Sequence, residues 1–176
     1  VYAHLDANAK SQHDSDTRFR ALMNSSFDAI VIINTQGAIV DFNTAAEELF
    51  GCQKQQILGD DLANTIIPLR YREAHSQGLK VFLETGVGPL IGQRVEIEAL
   101  QHDGHEFPVE IAIEKYDVAT GTETETETKS AFVGFIRNIS QRKDTAAKLI
   151  QSSKMATLGE MATSVAHELN QPLSVI

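Results

Sequence analysis

Between Leu90 and Ile139 the chain alternates apolar and polar residues with a period of two, and from about Gln141 that period is gone. Val95, Ile97 and Ala99 stand against Arg94, Glu96 and Glu98, and Phe107, Val109, Ile111 and Ile113 alternate with polar neighbours. Ala131 to Ile139 forms a third such stretch. Successive side chains of a strand point to opposite faces, so this pattern demands half-buried strands. Asp103-Gly104 supplies hairpin chemistry between the first two. Thr120 to Lys129 (TGTETETETK) separates the second and third. Its threonines favour strand, but it has no apolar face to bury, which predicts an exposed polar hairpin tip.

The first half reads differently. Residues 1–15 are polar and weakly patterned, and are expected to form a frayed lead-in. From Asp16 a helical spacing begins with Phe19, Leu22 and Met23, capped by Ser15 or Asp16. Ala29 to Ile33 is β-branched and apolar. Asn34-Thr35-Gln36-Gly37 supplies a turn, and Ala38 to Phe42 completes a hairpin. Thr44 is placed to cap a short helix, Ala45 to Phe50, that Gly51 ends. Gln53 to Leu58, ended by Gly59, predicts another short turn of helix. Pro68 stops the Ile66-Ile67 run, and a stronger helix follows over 71–85, with His75, Leu79, Phe82 and Leu83 on one face and Gly86 at its end. Strands and helices are segregated. The expected class is α+β: a five-stranded antiparallel sheet with short helices on one face.

Beyond Gln141, Ala147, Ile150, Leu158, Met161, Val165 and Leu169 mark the apolar stripe of one long helix. A stripe past the edge of a domain requires a partner helix, expected from a second chain. Charge and composition bound the partners. The formal net charge is -9, and Leu69-Arg70-Tyr71-Arg72 and Gln141-Arg142-Lys143 are the longest basic clusters, so nucleic acid is not expected. The single cysteine, Cys52, cannot form an intrachain disulfide and implies a reducing compartment. No stretch reaches the roughly 20 apolar residues of a membrane helix. The expected location is cytoplasmic, with membrane attachment only through an unseen N-terminal region. Val1 and the unfinished pattern at Ile176 read as the limits of a piece of a longer protein.

The run Lys154-Met155-Ala156-Thr157-Leu158-Gly159-Glu160-Met161-Ala162, continued by His167-Glu168-Leu169-Asn170-Gln171-Pro172-Leu173, resembles the phosphoacceptor box of sensor histidine kinases. A lone His-Glu pair would read as an exposed histidine beside a carboxylate; the whole run carries the resemblance. A phosphate-accepting histidine needs a neutral ring nitrogen facing solvent, and Glu168 can hold the proton of the other nitrogen. Pro172 lacks an N–H and crowds the carbonyl of Glu168, which should bend the helix just past His167. The resemblance implies autophosphorylation of His167 by ATP and transfer to an aspartate on a response-regulator receiver domain. Four residues after the histidine, where the family often has Thr or Asn for positioning the water of dephosphorylation, stands Gln171. Its longer arm leaves phosphatase activity open. No Asn-rich or DxGxG-like segment is present, so ATP would be bound by a catalytic domain beyond Ile176, and the 176 residues alone should be inactive.

A second resemblance spans about 18–142. Phe27-Asp28-Ala29-Ile30, the Asn34 to Gly37 turn, Asp41-Phe42-Asn43, Phe50-Gly51 and Ile57-Leu58-Gly59 look like the opening half of a PAS domain. Asp103-Gly104 before Phe107-Pro108-Val109-Glu110, and Gly134-Phe135-Ile136-Arg137-Asn138-Ile139-Ser140, look like its closing half. The implied organisation is a lead-in over 1–15, a PAS sensor over 16–140, a signalling helix over 141–153, and over 154–176 the start of a dimeric four-helix bundle. A homodimer through the C-terminal helix follows from the same resemblance.

Tyr71-Arg72-Glu73-Ala74-His75, then Leu79, Phe82 and Thr85-Gly86, resemble the haem helix of rhizobial oxygen-sensing kinases. The resemblance implies His75 as proximal iron ligand, with Leu90, Ile91, Val109, Ile111, Val133 and Phe135 as pocket walls. The propionate-pairing arginine of that group corresponds to Val81, and its oxygen-contacting arginine to Val95. The alternative for His75 is a boundary histidine bonded to a loop. His102 and His105 flank Asp103-Gly104 on a turn and do not make a closed metal site. Cys52 is not in the context of a flavin-reactive cysteine and reads as a small buried side chain. Two other functions remain open: a ligand- or haem-binding dimerisation module with no phosphotransfer, and a PAS-regulated cyclic-nucleotide enzyme, which the histidine box opposes.

Overall fold

The computed structural model describes the backbone of residues 2–122 and 125–170, and side chains over 14–117 and 130–166. The chain divides into two compact units, Val1–Asn138 and Ile139–Ile176. The first opens with helix α1 (Tyr2–Ser25), then strands β1 (Ala29–Asn34) and β2 (Ile39–Phe42). Four short elements follow: α2 (Thr44–Phe50), α3 (Lys54–Ile57), α4 (Leu62–Ile66) and a single 3-10 turn (Leu69–Tyr71). Helix α5 (Arg72–Thr85) leads to β3 (Arg94–Leu100), β4 (Glu106–Thr122) and β5 (Glu125–Asn138). All strand pairs are antiparallel, in the order β2-β1-β5-β4-β3.

Register decides which side chains form the core, because partners across an antiparallel ladder share a face. Ala29, Val31 and Ile33 of β1 pair with Ile136, Gly134 and Phe132 of β5. This face meets the buried side chains of the helices: Ala46 and Phe50 from α2, Ile57 from α3, Ile66 from α4 and Phe82 from α5. Phe50 links Phe42 and Phe107 through tilted ring contacts at 5.9 and 6.0 Å. The opposite face is not bare. Ile30, Ile32 and Ala131, with half-buried Val133, pack against Met23 at the end of α1.

Several expectations are corrected. The chain is helical from Tyr2, so residues 2–15 extend the flanking helix. The cap of α2 is Asn43, not Thr44: its side-chain oxygen accepts from Ala46 N, while Gly51 ends the helix at φ 70°. Helix α4 escapes the periodicity because five residues hold too little pattern, yet Asp61 caps it through Ala63 N. Strand β3 starts at Arg94 rather than Leu90, since Gly92 turns at φ 70° and only Ile91 bridges to Ile113. The Thr-Glu repeat is not a loop. It continues the β4–β5 ladder to the pair Thr122 and Glu125, because ladder pairing satisfies backbone groups without needing an apolar face.

The second unit is helix α6 (Ser140–Asn170), 31 residues without a break. Leu149, Ile150, Met155, Leu158, Met161 and Val165 are all more than half exposed along it. Among the described residues, no helix is long and apolar enough to cross a membrane.

Candidate functional site

His75 sits on α5, which is anchored at its start. Arg72 donates from Nε to the carbonyl of Ile67 at 3.1 Å and from Nη1 to Asn64 Oδ1 at 3.1 Å, fastening α5 to the end of α4. At the far end Gly86 adopts φ 71° and its N–H reaches the carbonyl of Phe82. Between these points His75, Leu79 and Phe82 form one stripe. Phe82 is buried and meets Phe132 of β5 edge-on, with centroids 5.5 Å apart. Leu79 packs against the core and approaches the backbone at Gly37, where an added Cβ would lie 3.5 Å from its Cδ2. His75 is half-buried. Burial lowers its pKa, with the Asp61 carboxylate pulling weakly the other way, so the imidazole is neutral at pH 7.

A neutral imidazole on a core-facing stripe is the donor a haem iron takes. The walls fit less well. Val109, Ile111 and Ile113 lie on the helix-covered face, and Val95 pairs with Ile111 there. Val133 and Phe135 pair with Ile32 and Ile30, which places them on the opposite face. They are not walls of that space, because a shift of one residue along a strand exchanges its faces. Leu90 is on the surface, Ile91 half-buried, and Val81 exposed. The gap between α5 and the sheet is occupied where Phe82 meets Phe132. A polar groove of about 540 Å³ runs past Asp60, Asp61, Asn64 and His102, and a smaller one of about 120 Å³ past Arg20, Asp41, Glu47 and Lys54. His75 lines neither. His75 thus has the chemistry an iron ligand needs, and neither described groove reaches it.

The remaining candidates fall as follows. His102 and His105 are exposed on the β3–β4 turn, where Asp103 Oδ1 accepts from His105 N at 2.9 Å. No group of three His, Cys, Asp or Glu among the described residues could hold a metal ion. Cys52 is buried, and desolvation with the charge of Glu47 pushes its thiol pKa up, away from the reactive thiolate. His167 and Glu168 lie within the backbone of α6, near its end at Asn170. Their side chains, together with Gln171 and Pro172, lie outside the described residues.

Two polar arrangements went unread in the sequence. Asn43 is 1% exposed, and its side chain makes four hydrogen bonds. Its Oδ1 accepts from Ile30 N at 2.8 Å and Ala46 N at 2.9 Å, and its Nδ2 donates to the carbonyls of Met23 at 2.9 Å and Asp28 at 3.1 Å. It thereby ties the end of α1, the start of β1 and the start of α2. An Asn just before a short helix was the signal for the cap, but its other partners lie across the sheet. The second arrangement is the fork between Arg137 and Asp28, with Nε and Nη2 each 2.8 Å from one carboxylate oxygen. Its members are 109 residues apart.

Comparison with known proteins matches residues 28–141 to the PAS domain family. The sensor protein FixL of Bradyrhizobium diazoefficiens is 30% identical over 168 residues, covering 92% of this chain and 32% of the relative. The signal transduction histidine-protein kinase AtoS of Escherichia coli is 26% identical, covering 96% of this chain and 25% of the relative. The chain thus spans a third or less of the length of these curated relatives. Among solved structures, the PAS domain of an HTR-like protein from Haloarcula marismortui superposes with a TM-score of 0.51 at 21% identity, over 76% of this chain and 99% of that one.

Proposed function

The chain belongs to the PAS domain family, and on that premise we propose that it is the sensory and phosphoacceptor segment of a two-component histidine kinase. Input at the PAS core shifts the pairing of α6 with its counterpart in a homodimer and so changes access to His167. A catalytic domain elsewhere in the protein presents ATP. A ring nitrogen of His167 attacks the γ-phosphorus, the bond to the bridging oxygen breaks, and ADP leaves. Glu168 holds the proton on the other ring nitrogen and offsets the positive charge that develops on the ring. The phosphoryl group then passes to an aspartate of a receiver domain. Gln171 is the residue whose amide would orient a water for hydrolysis, and Pro172 the one that loosens the helix beside the histidine.

One observation carries this reading: a single residue separates β5 from α6, and α6 runs unbroken to Asn170 with His167 and Glu168 in its backbone. Alignments to FixL and AtoS cover 92% and 96% of the chain, leaving too few residues outside to exclude that helix. In the complete protein His167→Gln should abolish acid-labile phosphate, while the wild type incorporates it. Retention of the wild-type level by the variant would refute the assignment.

Haem is the second reading, favoured by the neutral, half-buried imidazole of His75 and by the relatedness to FixL. When bound, the iron would supply coordination of a diatomic gas. The part of this chain would be to hold the iron through His75, and to admit the ring by moving Phe82 off Phe132. Val95, which pairs with Ile111, would offer no hydrogen-bond donor to a gas held at that iron. Reconstitution should give a Soret band in the wild type that is lost or displaced in His75→Ala. No band in either protein would leave the domain as an apo or small-metabolite sensor.

A further inference from the structure

Arg137 stands between two carboxylates on neighbouring strands. Backbone pairing of β1 with β5 ends at Ala29 and Ile136. One step further, Arg137 of β5 forks Asp28, the residue before β1, at 2.8 and 2.8 Å. On its other side, its register partner in β4 is Glu110. Glu110 in turn receives Arg94 of β3 at 3.4 Å. Asp28, Arg137, Glu110 and Arg94 thus form a row of alternating charge at one corner of the sheet, Arg94 reaching Glu110 diagonally past Glu96, the register partner of Glu110 in β3. The hydrogen bonds that Arg137 donates to Asp28, and more weakly the charge of Glu110, raise the guanidinium pKa further above its usual value, so the ion never loses its proton and can change only its partner.

The corner is also where the chain enters and leaves the sheet. Asp28 follows the end of α1 at Ser25 by three residues, and Arg137 precedes the start of α6 at Ser140 by three. Asn43 fixes the Asp28 carbonyl and the Met23 carbonyl together, so holding Asp28 holds the end of α1. Arg137 is 59% exposed and Asp28 31%. An exposed fork is a weak bond, which suits a contact that must open and close.

We propose that Arg137 is a two-position switch: forked to Asp28 it clamps the exit of α1 to the end of β5, and turned to Glu110 across β4 it releases them. A slide or twist of β5 relative to β1, as a change in the core would produce, moves Arg137 from one carboxylate to the other. The regulatory output rests on the kinase reading; the clamp itself does not.

The test uses the complete protein with Asp28→Asn, Glu110→Gln and Arg137→Gln, and His167→Gln as the blank. Removing Asp28 leaves only the Glu110 position, and removing Glu110 leaves only the Asp28 position. Basal autophosphorylation should move about two- to fivefold in opposite directions in the first two variants, with Arg137→Gln following Asp28→Asn. Amide exchange at residues 140–145 is read in the same proteins and needs no kinase activity. It should quicken in Asp28→Asn and Arg137→Gln, and slow in Glu110→Gln. Shifts in the same direction, or no change in exchange, overturn the switch. Opposite shifts in exchange, with wild-type phosphate no higher than the blank, uphold the switch and overturn the kinase reading.

Discussion

At the scale of single residues, burial does more than sequence context to define chemistry. His75 could be located on a helix face by spacing alone, but its protonation state follows from the desolvation that lowers its pKa. That shift has a sign in stability. The unfolded chain takes up the proton near pH 6.5 and the folded chain only at lower pH, so between the two values the unfolded state binds more protons and stability rises with pH. Stability is complete above about pH 6.5 and is lost as pH falls below it. Urea denaturation at pH 7.5 and 5.5 should show a smaller loss in His75→Leu than in the wild type; equal losses would mean that His75 is solvated in the fold. Asn43 shows the opposite limit of legibility. Its capping of α2 was available from the residues around it, but bonds to Ile30 N and the Met23 carbonyl depend on α1 and β1 arriving at the same place.

At the scale of elements, turns and long helices were readable because their signals are local. Gly51 and Gly86 end α2 and α5 in the left-handed region, where a side chain is costly. The Thr-Glu repeat is hard to read as strand because it has no apolar alternation, whereas its ladder is held by backbone pairing. β1 pairs with β5 only as far as Asn34 and Ala131, and β3 with β4 only as far as Arg94 and Ala112. Past these points, apart from the bridge between Ile91 and Ile113, the described pairing of β4 and β5 is with each other. Replacing residues 119–128 by Asn-Gly should close the hairpin at Val118 and Lys129, with the unfolding free energy changed by no more than about 1 kcal/mol, since loop closure is cheap and the replaced residues lie beyond the pairs that β1 and β3 make. A larger loss in chemical denaturation would show that the ribbon is part of the cooperative unit.

At the scale of the whole molecule, the exposed stripe of α6 is the feature one chain leaves unfinished. Leu158, Met161 and Val165 are 61%, 63% and 53% exposed, and apolar rows at that spacing are buried by a facing helix. Sedimentation of the chain ending at Ser140 and at Ile176 should give a dimer only for the longer one; two equally monomeric species at high concentration would remove the helix as an interface. The residues by themselves determined the α+β class, the strand alternation, the place of α5 and the change to a long helix at about Gln141, because each depends on neighbours a few positions apart. Tertiary structure alone decided that β1 lies between β2 and β5, that Val133 and Phe135 face away from α5, and that Asp28 meets Arg137. The physical reason is register: a strand carries two faces in its own pattern, but which face meets the core, and which charges meet each other, is set by the strand beside it.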